Sequence, residues 1–411
     1  MLASRLGIFA NRDFTIYWTG GALSNVGTWL QNVAAAVLML ELTGSPFMVG
    51  LLGTASFLPI LAFTLFAGDV SDRLDRRRIV IVTHLLATAT TAVLAFVALT
   101  GAVAPWHLLA VGFLTNAAYA FAKPALVSIL PALVPRAELA EATSINVLQF
   151  QVGQIAGSLV AAVVLLVATP GVAFALNALT FLAPAVAMVL IHPRPTEAPR
   201  VAGAAARGLT AGFRFLWAAR PLLGAVVAVA VANALVEATR TLSPVLVGQL
   251  GAEPSATGLL IASASIGSAI AILAIPWLLR VLSMGRLTGA GFVAQVIGVV
   301  LQGLAPGLEV AVAGAFLVGV GFSLAFTQMT ALLQIASPED LRGRVMAIHT
   351  LSHLGLRPLW ALLVGSFATL GGARFAIVVF AVLAPIGLVG AARASREDLA
   401  DTLTGPERAA A

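Results

Sequence analysis

Long apolar runs of roughly 20 residues, separated by short polar loops, recur along the whole chain. A helix of that length crosses a bilayer core of about 30 Å. The runs are apolar on every side and do not alternate apolar with polar residues, so they predict helices and not transmembrane strands. We therefore predict an all-α polytopic membrane protein whose twelve transmembrane helices cover approximately residues 15–40, 47–68, 79–100, 106–130, 144–167, 172–191, 221–244, 256–279, 287–305, 309–334, 345–369 and 374–392.

Composition narrows the classes of function. The chain has 411 residues, 60% of them hydrophobic, and it contains no cysteine, which excludes disulfides, thiolate metal sites and cysteine nucleophiles. The net charge of +6 is spread over many loops, whereas a nucleic-acid-binding protein gathers its basic residues on one soluble face. We expect no nucleic-acid partner and no cofactor. The N-terminus lacks a cleavable signal pattern, so we expect the first helix to be retained.

Basic residues predict the orientation in the membrane. With a cytoplasmic N-terminus, nineteen of the 23 Lys and Arg residues fall in cytoplasmic segments and only Arg374 falls outside. The other three, Lys123, Arg240 and Arg357, lie within predicted helices. This bias is typical of a protein with both termini in the cytoplasm. We therefore predict a multi-pass protein of the cell membrane, the plasma or inner membrane.

Two internal matches indicate a duplicated chain. Residues 48–78 align without gaps on residues 256–286, and a looser match pairs residues 135–145 with residues 338–348. Repeats of this kind are typical of transporters built from two six-helix halves. The linker between the halves is expected to end in an interfacial helix near Leu209–Ala219. The predicted domains are an N-terminal half at 1–191, a cytoplasmic linker at 192–220, a C-terminal half at 221–393 and a cytoplasmic tail at 394–411.

The charged stretch GDVSDRLDRRR stands between the second and third predicted helices. It resembles the signature loop of the major facilitator superfamily, Gly-x-x-x-Asp-Arg-x-Gly-Arg-Arg, at the same place in the topology. Asp75 stands where the second glycine is usual. The residues in register, which the resemblance implies form a gate motif, are Gly68, Asp72, Arg73, Arg76 and Arg77.

The residue types in this loop suit a gate. Gly68 has no side chain to hold a neighbouring helix away. Asp72 is expected at the positive N-terminal end of a helix across the interface, and the arginines are expected to pair with carboxylates there. The expected neighbour is helix eleven, which begins near Arg342. The alternative is a solvated basic loop that only sets the orientation.

Three further motifs, ELTGSP at 41–46, PALVPRAELAEA at 131–142 and SPEDLRGRVMAIHTLSHLGLRPLWALLVG at 337–365, resemble the branch of the superfamily that contains enterobactin exporters and macrolide efflux proteins. The resemblance implies proton-driven export of a siderophore, macrolide or other drug-like molecule by alternating access. The alternative is an importer of a nutrient such as a sugar or organic acid. A membrane enzyme is not expected, because the pair His349 and His353 lacks an intervening glutamate and a third metal ligand.

Ionisable side chains inside the membrane are costly, so they are the first candidates for a transport pathway. His349, His353 and Arg357 recur every fourth residue, which predicts one polar stripe on helix eleven. Arg357 lies about 18 Å along that predicted helix, near the bilayer centre, where it needs an anionic partner in the protein or the substrate. His353 is a candidate proton carrier on the same stripe.

Glu237 and Arg240 are three residues apart on predicted helix seven and can form an ion pair. Glu237 is the one carboxylate inside a predicted span and is the leading candidate for reversible protonation. It lies about 24 Å along the helix, towards the outer side. A static pair near the outer membrane interface is the alternative to a coupling site.

Neutral polar residues complete the candidate site. A substrate pocket in such a transporter draws on helices one, four, seven and ten, although hydrogen bonding between helices is the alternative role for each residue. Helix five carries Gly153 and Gly157 at a spacing that permits close packing, with Ser158 where related antiporters have proline. Lipid, a small-molecule substrate and protons are the expected partners of a chain that we expect to work as a monomer. The neutral candidates are Gln31, Asn32, Asn116 and Gln154.

Overall fold

The computed structural model describes residues 7–192 and 205–403, except the side chains of Leu65, Asp69 and Asp72 and of residues 205–209 and 395–403. The described part is helical and contains no β-strand. The predicted linker and C-terminal tail therefore lie partly outside the described residues.

Six long helices match the first six predicted spans. The sequence defines their ends: the Asn11 side chain caps the first helix by accepting the N–H groups of Asp13 and Phe14, and Gly44 ends it at φ 59°. Two 3₁₀ turns, Gly7–Ala10 and Arg136–Glu138, precede the first and fifth helices. The six are α1 (Arg12–Thr43), α2 (Pro46–Arg73), α3 (Arg76–Leu99), α4 (Pro105–Leu133), α5 (Leu139–Val167) and α6 (Pro170–Leu190).

Eight further helices follow in the described part of the chain. One π-helical turn, Leu351–Gly355, joins the sixth and seventh of them. The eight are α7 (Ala205–Ala218), α8 (Arg220–Gln249), α9 (Ala256–Leu278), α10 (Met284–Gly303), α11 (Leu308–Ala336), α12 (Glu339–Thr350), α13 (Arg357–Ala381) and α14 (Ala384–Leu403).

Eleven segments of the described chain are long and apolar enough to cross a membrane. The last of them, Glu339–Ala394, has 56 residues and would extend about 84 Å as one straight helix, more than twice the bilayer core. Gly372, at φ 80° and ψ 177°, breaks α13 and lets the chain turn. This segment therefore holds predicted helices eleven and twelve, in agreement with the predicted count.

The chain divides into two compact units, residues 1–203 with 253–262 and residues 204–252 with 263–411. In the first unit α1 packs on α5 and α6, and α3 packs on α4 and α6. In the second unit α8 packs on α13 and α14, and α10 packs on α11 and α14. Each unit thus contains the same pairings between its first and last membrane helices, as duplicated six-helix segments would give.

Helix α7 is amphipathic and lies in the segment where an interfacial helix is predicted. Leu216 is fully buried in the apolar core of the second unit, against α8, α11 and α12. Phe213 and Trp217, by contrast, are 48% and 64% exposed. The Arg220 guanidinium stacks over the Trp217 ring at 4.5 Å from its centroid.

Glycines bring α1 and α5 into close contact, as the Gly-x-x-x-Gly spacing predicts. A Cβ atom at Gly153 would overlap Asn25, and one at Gly157 would overlap the carbonyl oxygen of Val26. Ala161, one turn further on, is fully buried. Backbone contact of this kind gives two apolar helices dispersion energy that lipid cannot replace.

We expect Gly157→Leu to destabilise the first unit by about 3 kcal/mol, because the added side chain separates α1 from α5. The measurement is the thermal unfolding temperature of the purified protein in detergent. Gly289→Ala is the matched control: this glycine is also helical, but no described atom lies within 4 Å of its Cβ position. Equal unfolding temperatures for the two variants would contradict the close contact.

Candidate functional site

A buried carboxylate in α8 is the centre of the candidate site. Glu237 is only 1% exposed, and most of α8 around it is apolar and buried. Asn233, Glu237 and Thr241 recur every fourth residue, so they form one polar stripe on this helix. The Thr241 hydroxyl donates to Glu237 Oε1 at 3.2 Å.

Two arginines bind the other oxygen of this carboxylate. Arg240 Nη1, from the same helix, lies 3.0 Å from Glu237 Oε2, and Arg357 Nε, from α13, lies 3.1 Å from the same atom. The side chains of Glu237, Arg357 and Arg240 are 2%, 8% and 23% exposed. The predicted pair Glu237–Arg240 therefore forms, and Arg357 has its anionic partner within the protein. We call these three residues the ion cluster.

The π-helical turn before α13 positions Arg357. Pro358 has no N–H group, and its ring clashes in a regular helix with the carbonyl four residues earlier, that of Leu354. The wider turn, in which the Leu356 N–H donates to the Leu351 carbonyl at 3.1 Å, accommodates this proline. Asn233 Nδ2 donates to the carbonyl of His353 within the turn at 2.6 Å. The Asn233 bond and the ion cluster both join α8 to this region.

The sequence predicts different depths in the membrane for Glu237 and Arg357, and this prediction is wrong because the two side chains are in contact. The prediction placed Glu237 nearer the outer side and Arg357 near the centre. The helical segment containing Arg357 begins at Glu339, six residues before the predicted start, so Arg357 lies about 27 Å along it. Glu237 lies about 26 Å from Arg220, the start of α8. The two side chains are therefore level, and they meet.

The predicted stripe of His349, His353 and Arg357 is also wrong, because the π-helical turn divides it. His349 Nε2 lies 2.9 Å from the Thr330 hydroxyl, and the His353 ring packs against Phe326 at 4.7 Å, both on α11. Arg357 faces α8 instead. One extra residue in a turn moves the following side chains about 100° around the helix axis.

The neutral candidates do not form one cluster within the first unit. Gln31 Oε1 accepts a hydrogen bond of 2.7 Å from Asn177 Nδ2, and both side chains are buried. Asn116 Nδ2 donates to the Gly112 carbonyl on its own helix at 2.9 Å. Asn32 is exposed and Gln154 is half-buried. For Gln31 and Asn116 the structure thus shows hydrogen bonds within the helical scaffold.

The charged loop after α2 shows two defined contacts. Asp75 caps α3 by accepting the Arg78 N–H at 2.8 Å, and Arg77 Nη2 donates to the Val189 carbonyl at the end of α6 at 2.8 Å. No described atom lies within 4 Å of the Cβ position of Gly68, and the gate predicted at this loop stays a prediction. The Asp72 side chain lies outside the described residues.

The remaining residues of the predicted gate motif lie at the helix ends beside this loop. Arg73 is the last residue of α2 and is exposed, and Arg76 is the first residue of α3 and is half-buried. Among the described residues, no group of three His, Asp or Glu side chains could hold a metal ion.

Two residues that form hydrogen bonds at the site, Asn233 and Thr241, were not predicted from the sequence. Their spacing of four on either side of Glu237 was the available signal, since it marks one continuous polar stripe on an otherwise apolar helix. The sequence indicates the π-helical turn only indirectly, through the presence of Pro358 within a long helical pattern.

We expect Arg357→Met to destabilise the second unit by about 3–5 kcal/mol, because a buried carboxylate loses a charged partner. Glu237→Gln together with Arg357→Met is expected to cost less than the sum of the two single changes. The measurement is thermal unfolding in detergent. Arg286→Met, at an exposed arginine, is the control and is expected to change stability by less than about 0.5 kcal/mol. Strictly additive effects of the two changes would contradict the pairing.

Solved transporter structures share this fold. A bacterial homologue of the human lysosomal transporter Spinster is 17% identical with a TM-score of 0.71, and the match covers 95% of this chain and 97% of that one. The nucleoside transporter NupG is 12% identical with a TM-score of 0.76, covering 92% of this chain and 98% of that one. At such identities the likeness shows the fold alone.

Sequence relatives include two efflux proteins. The enterobactin exporter EntS of Escherichia coli O1:K1 / APEC is 27% identical over 386 residues, 89% of each chain. Macrolide efflux protein A of Streptococcus pyogenes is 32% identical over 126 residues, 31% of each chain. The model of the family described as transmembrane secretion effector matches residues 3–399. The chain is therefore a multi-pass membrane transporter that belongs to the transmembrane secretion effector family of the major facilitator superfamily.

Proposed function

We propose that this protein exports a small organic molecule across the inner membrane by alternating access, energised by the proton-motive force. The ion cluster is the observation that carries the proposal. Apolar side chains pack membrane helices at little cost, whereas three charged side chains in membrane-spanning helices are costly and typically mark a transport pathway. Here they join α8 to α13 in the second unit.

The relatives support the direction of transport. One is named an exporter of enterobactin and another a macrolide efflux protein, and the first matches along 89% of both chains. Enterobactin-like siderophores and macrolides are accordingly the first substrate classes to test. The division of the chain into two compact units is what alternating access requires, since two bodies must move against each other.

Within this proposal, each predicted site residue has a role. Glu237 releases and takes up a proton, and Arg240 and Arg357 hold the Glu237 side chain in place. His353 belongs to the helix segment that moves with Arg357. The loop with Gly68, Asp72, Arg73, Arg76 and Arg77 acts as a gate at the cytoplasmic side, where both termini lie. The first-unit candidates for contact with substrate are exposed Asn32, half-buried Asn116 and Gln154, and buried Gln31.

We expect a host without its own efflux pumps to accumulate less enterobactin or macrolide when it expresses this protein. A protonophore should abolish the difference, because it removes the driving force. Arg357→Ala should reduce export by about tenfold or more, since a charge-assisted hydrogen bond contributes about 1.5–3 kcal/mol. Asp72→Asn should reduce export as well. Accumulation of labelled compound in intact cells is the measurement, with the amount of protein in the membrane checked for each variant.

Asp75→Asn is the matched control for Asp72→Asn. Both changes remove one negative charge from the same loop, but asparagine also caps a helix well, so α3 is preserved at Asp75. Export by Asp75→Asn should equal that of the parent protein. Wild-type export by Asp72→Asn would contradict the gate. Increased uptake of a labelled sugar or organic acid, with no export of either test compound, would favour an importer.

A further inference from the structure

The ion cluster contains more positive than negative charge. Arg240 and Arg357 contribute two positive charges, and both guanidinium groups contact one oxygen of the single carboxylate, Glu237. Within the membrane, a local excess of positive charge attracts a mobile anion much more strongly than it would in water.

Arginine is well suited to binding an anionic ligand. Its planar guanidinium presents five N–H donors in a fixed arrangement, so one arginine can bind a protein carboxylate and a ligand oxygen at the same time. Arg240 and Arg357 approach Glu237 Oε2 from different helices, at 3.0 and 3.1 Å, so both cations lie beside one anionic position. A ligand carboxylate entering that position has the same chemistry as the Glu237 side chain.

We propose that Arg240 and Arg357 bind a carboxylate-like oxyanion on the transported molecule, and that Glu237 is the internal anion that this group displaces. The proposal rests on the proposed transport function and names its substrate class. When no substrate is bound, Glu237 neutralises one guanidinium charge and keeps both arginines in place. When substrate binds, its oxyanion takes over this role.

Exposure defines the order of contact with an incoming anion. The Arg240 side chain is 23% exposed, whereas those of Arg357 and Glu237 are 8% and 2% exposed. An anion therefore reaches Arg240 first and Arg357 second. Trp360 lies three residues beyond Arg357 on α13, and its buried Nε1 has no hydrogen-bond acceptor among the described residues. Its indole N–H is available to a further oxygen of the ligand.

Displacement would move the Glu237 carboxylate away from its two guanidinium partners. Arg240 and Arg357 are the charged groups that contact Glu237, with His353 one turn before Arg357. An anionic molecule that is exported in this way carries negative charge outward. The other ionisable groups described on α8 and on the helices packed against it are Arg214, Arg220, Arg286, Glu309, Glu339, Asp340, Arg342, Arg344, His349, Arg374 and Arg393.

Because the chain has no cysteine, one introduced thiol can report the electrostatics of the cluster. Val236→Cys places it one turn before Arg240, at a half-buried position outside the cluster. The probes are the anionic sulfonatoethyl and the cationic trimethylammonioethyl methanethiosulfonates, applied to the full protein in proteoliposomes. We expect the anionic reagent to react faster. The ratio of anionic to cationic rates should fall about tenfold with Arg240→Gln and rise about tenfold with Glu237→Gln.

Arg286→Gln, which removes an exposed arginine at the start of α10, is the matched control and should leave the ratio unchanged. A faster cationic reagent, a ratio that does not respond to Arg240→Gln, or no reaction with either reagent would overturn the proposal. Circular dichroism and unfolding temperature establish that each variant is folded.

Transport of two dyes with a common xanthene core separates this inference from the proposed function. We expect export of anionic carboxyfluorescein to exceed that of cationic rhodamine 123. Valinomycin with potassium, which removes the membrane potential, should stop it, whereas nigericin, which removes the pH gradient, should not. Export of rhodamine 123 alone would overturn the anion site and leave the proposed function standing. Loss of carboxyfluorescein export with nigericin but not with valinomycin would have the same meaning.

Cells that retain both dyes, enterobactin and macrolide would overturn the proposed function. The thiol reaction rates would still decide whether the anion site exists.

Discussion

The carboxylate of Glu237 imposes the main constraint on the second unit, because it is buried among apolar membrane helices. Removing a carboxylate from water costs several kcal/mol even after relaxation, and this cost is offset only by opposite charge and hydrogen bonds at close range. Arg240, Arg357 and the Thr241 hydroxyl supply them. Since Arg357 comes from a different helix, satisfying this one carboxylate fixes α8 against α13.

The geometry of α13 follows from the same constraint. A regular helix would direct Arg357 along the histidine face, towards α11, and would bring the Pro358 ring against the Leu354 carbonyl. The π-helical turn Leu351–Gly355 removes the clash and turns Arg357 towards α8. The Asn233 side chain then satisfies the His353 carbonyl. Irregular backbone, a polar side chain and an ion cluster thus occur together where α8 meets the helical segment that contains Arg357.

Both units also pack through small residues, with Gly157 against α1 in the first and Gly298 against α11 in the second. Buried neutral side chains hydrogen-bond between helices in both units as well. Among the described residues, the two ion pairs lie in the second unit. The second unit is therefore the one that we propose to bind the substrate anion.

The helical membrane fold follows from the sequence alone, because apolar runs of membrane-spanning length have few other stable structures. The superfamily, the close packing at Gly157 and the local pair of Glu237 with Arg240 could also be predicted, since each depends on short-range spacing. The contact between Arg357 and Glu237 could not be predicted, because it depends on where two distant helices begin. The tertiary structure also decided that His353 and Arg357 face different helices, because a single extra residue in one turn changes direction without changing the apolar pattern.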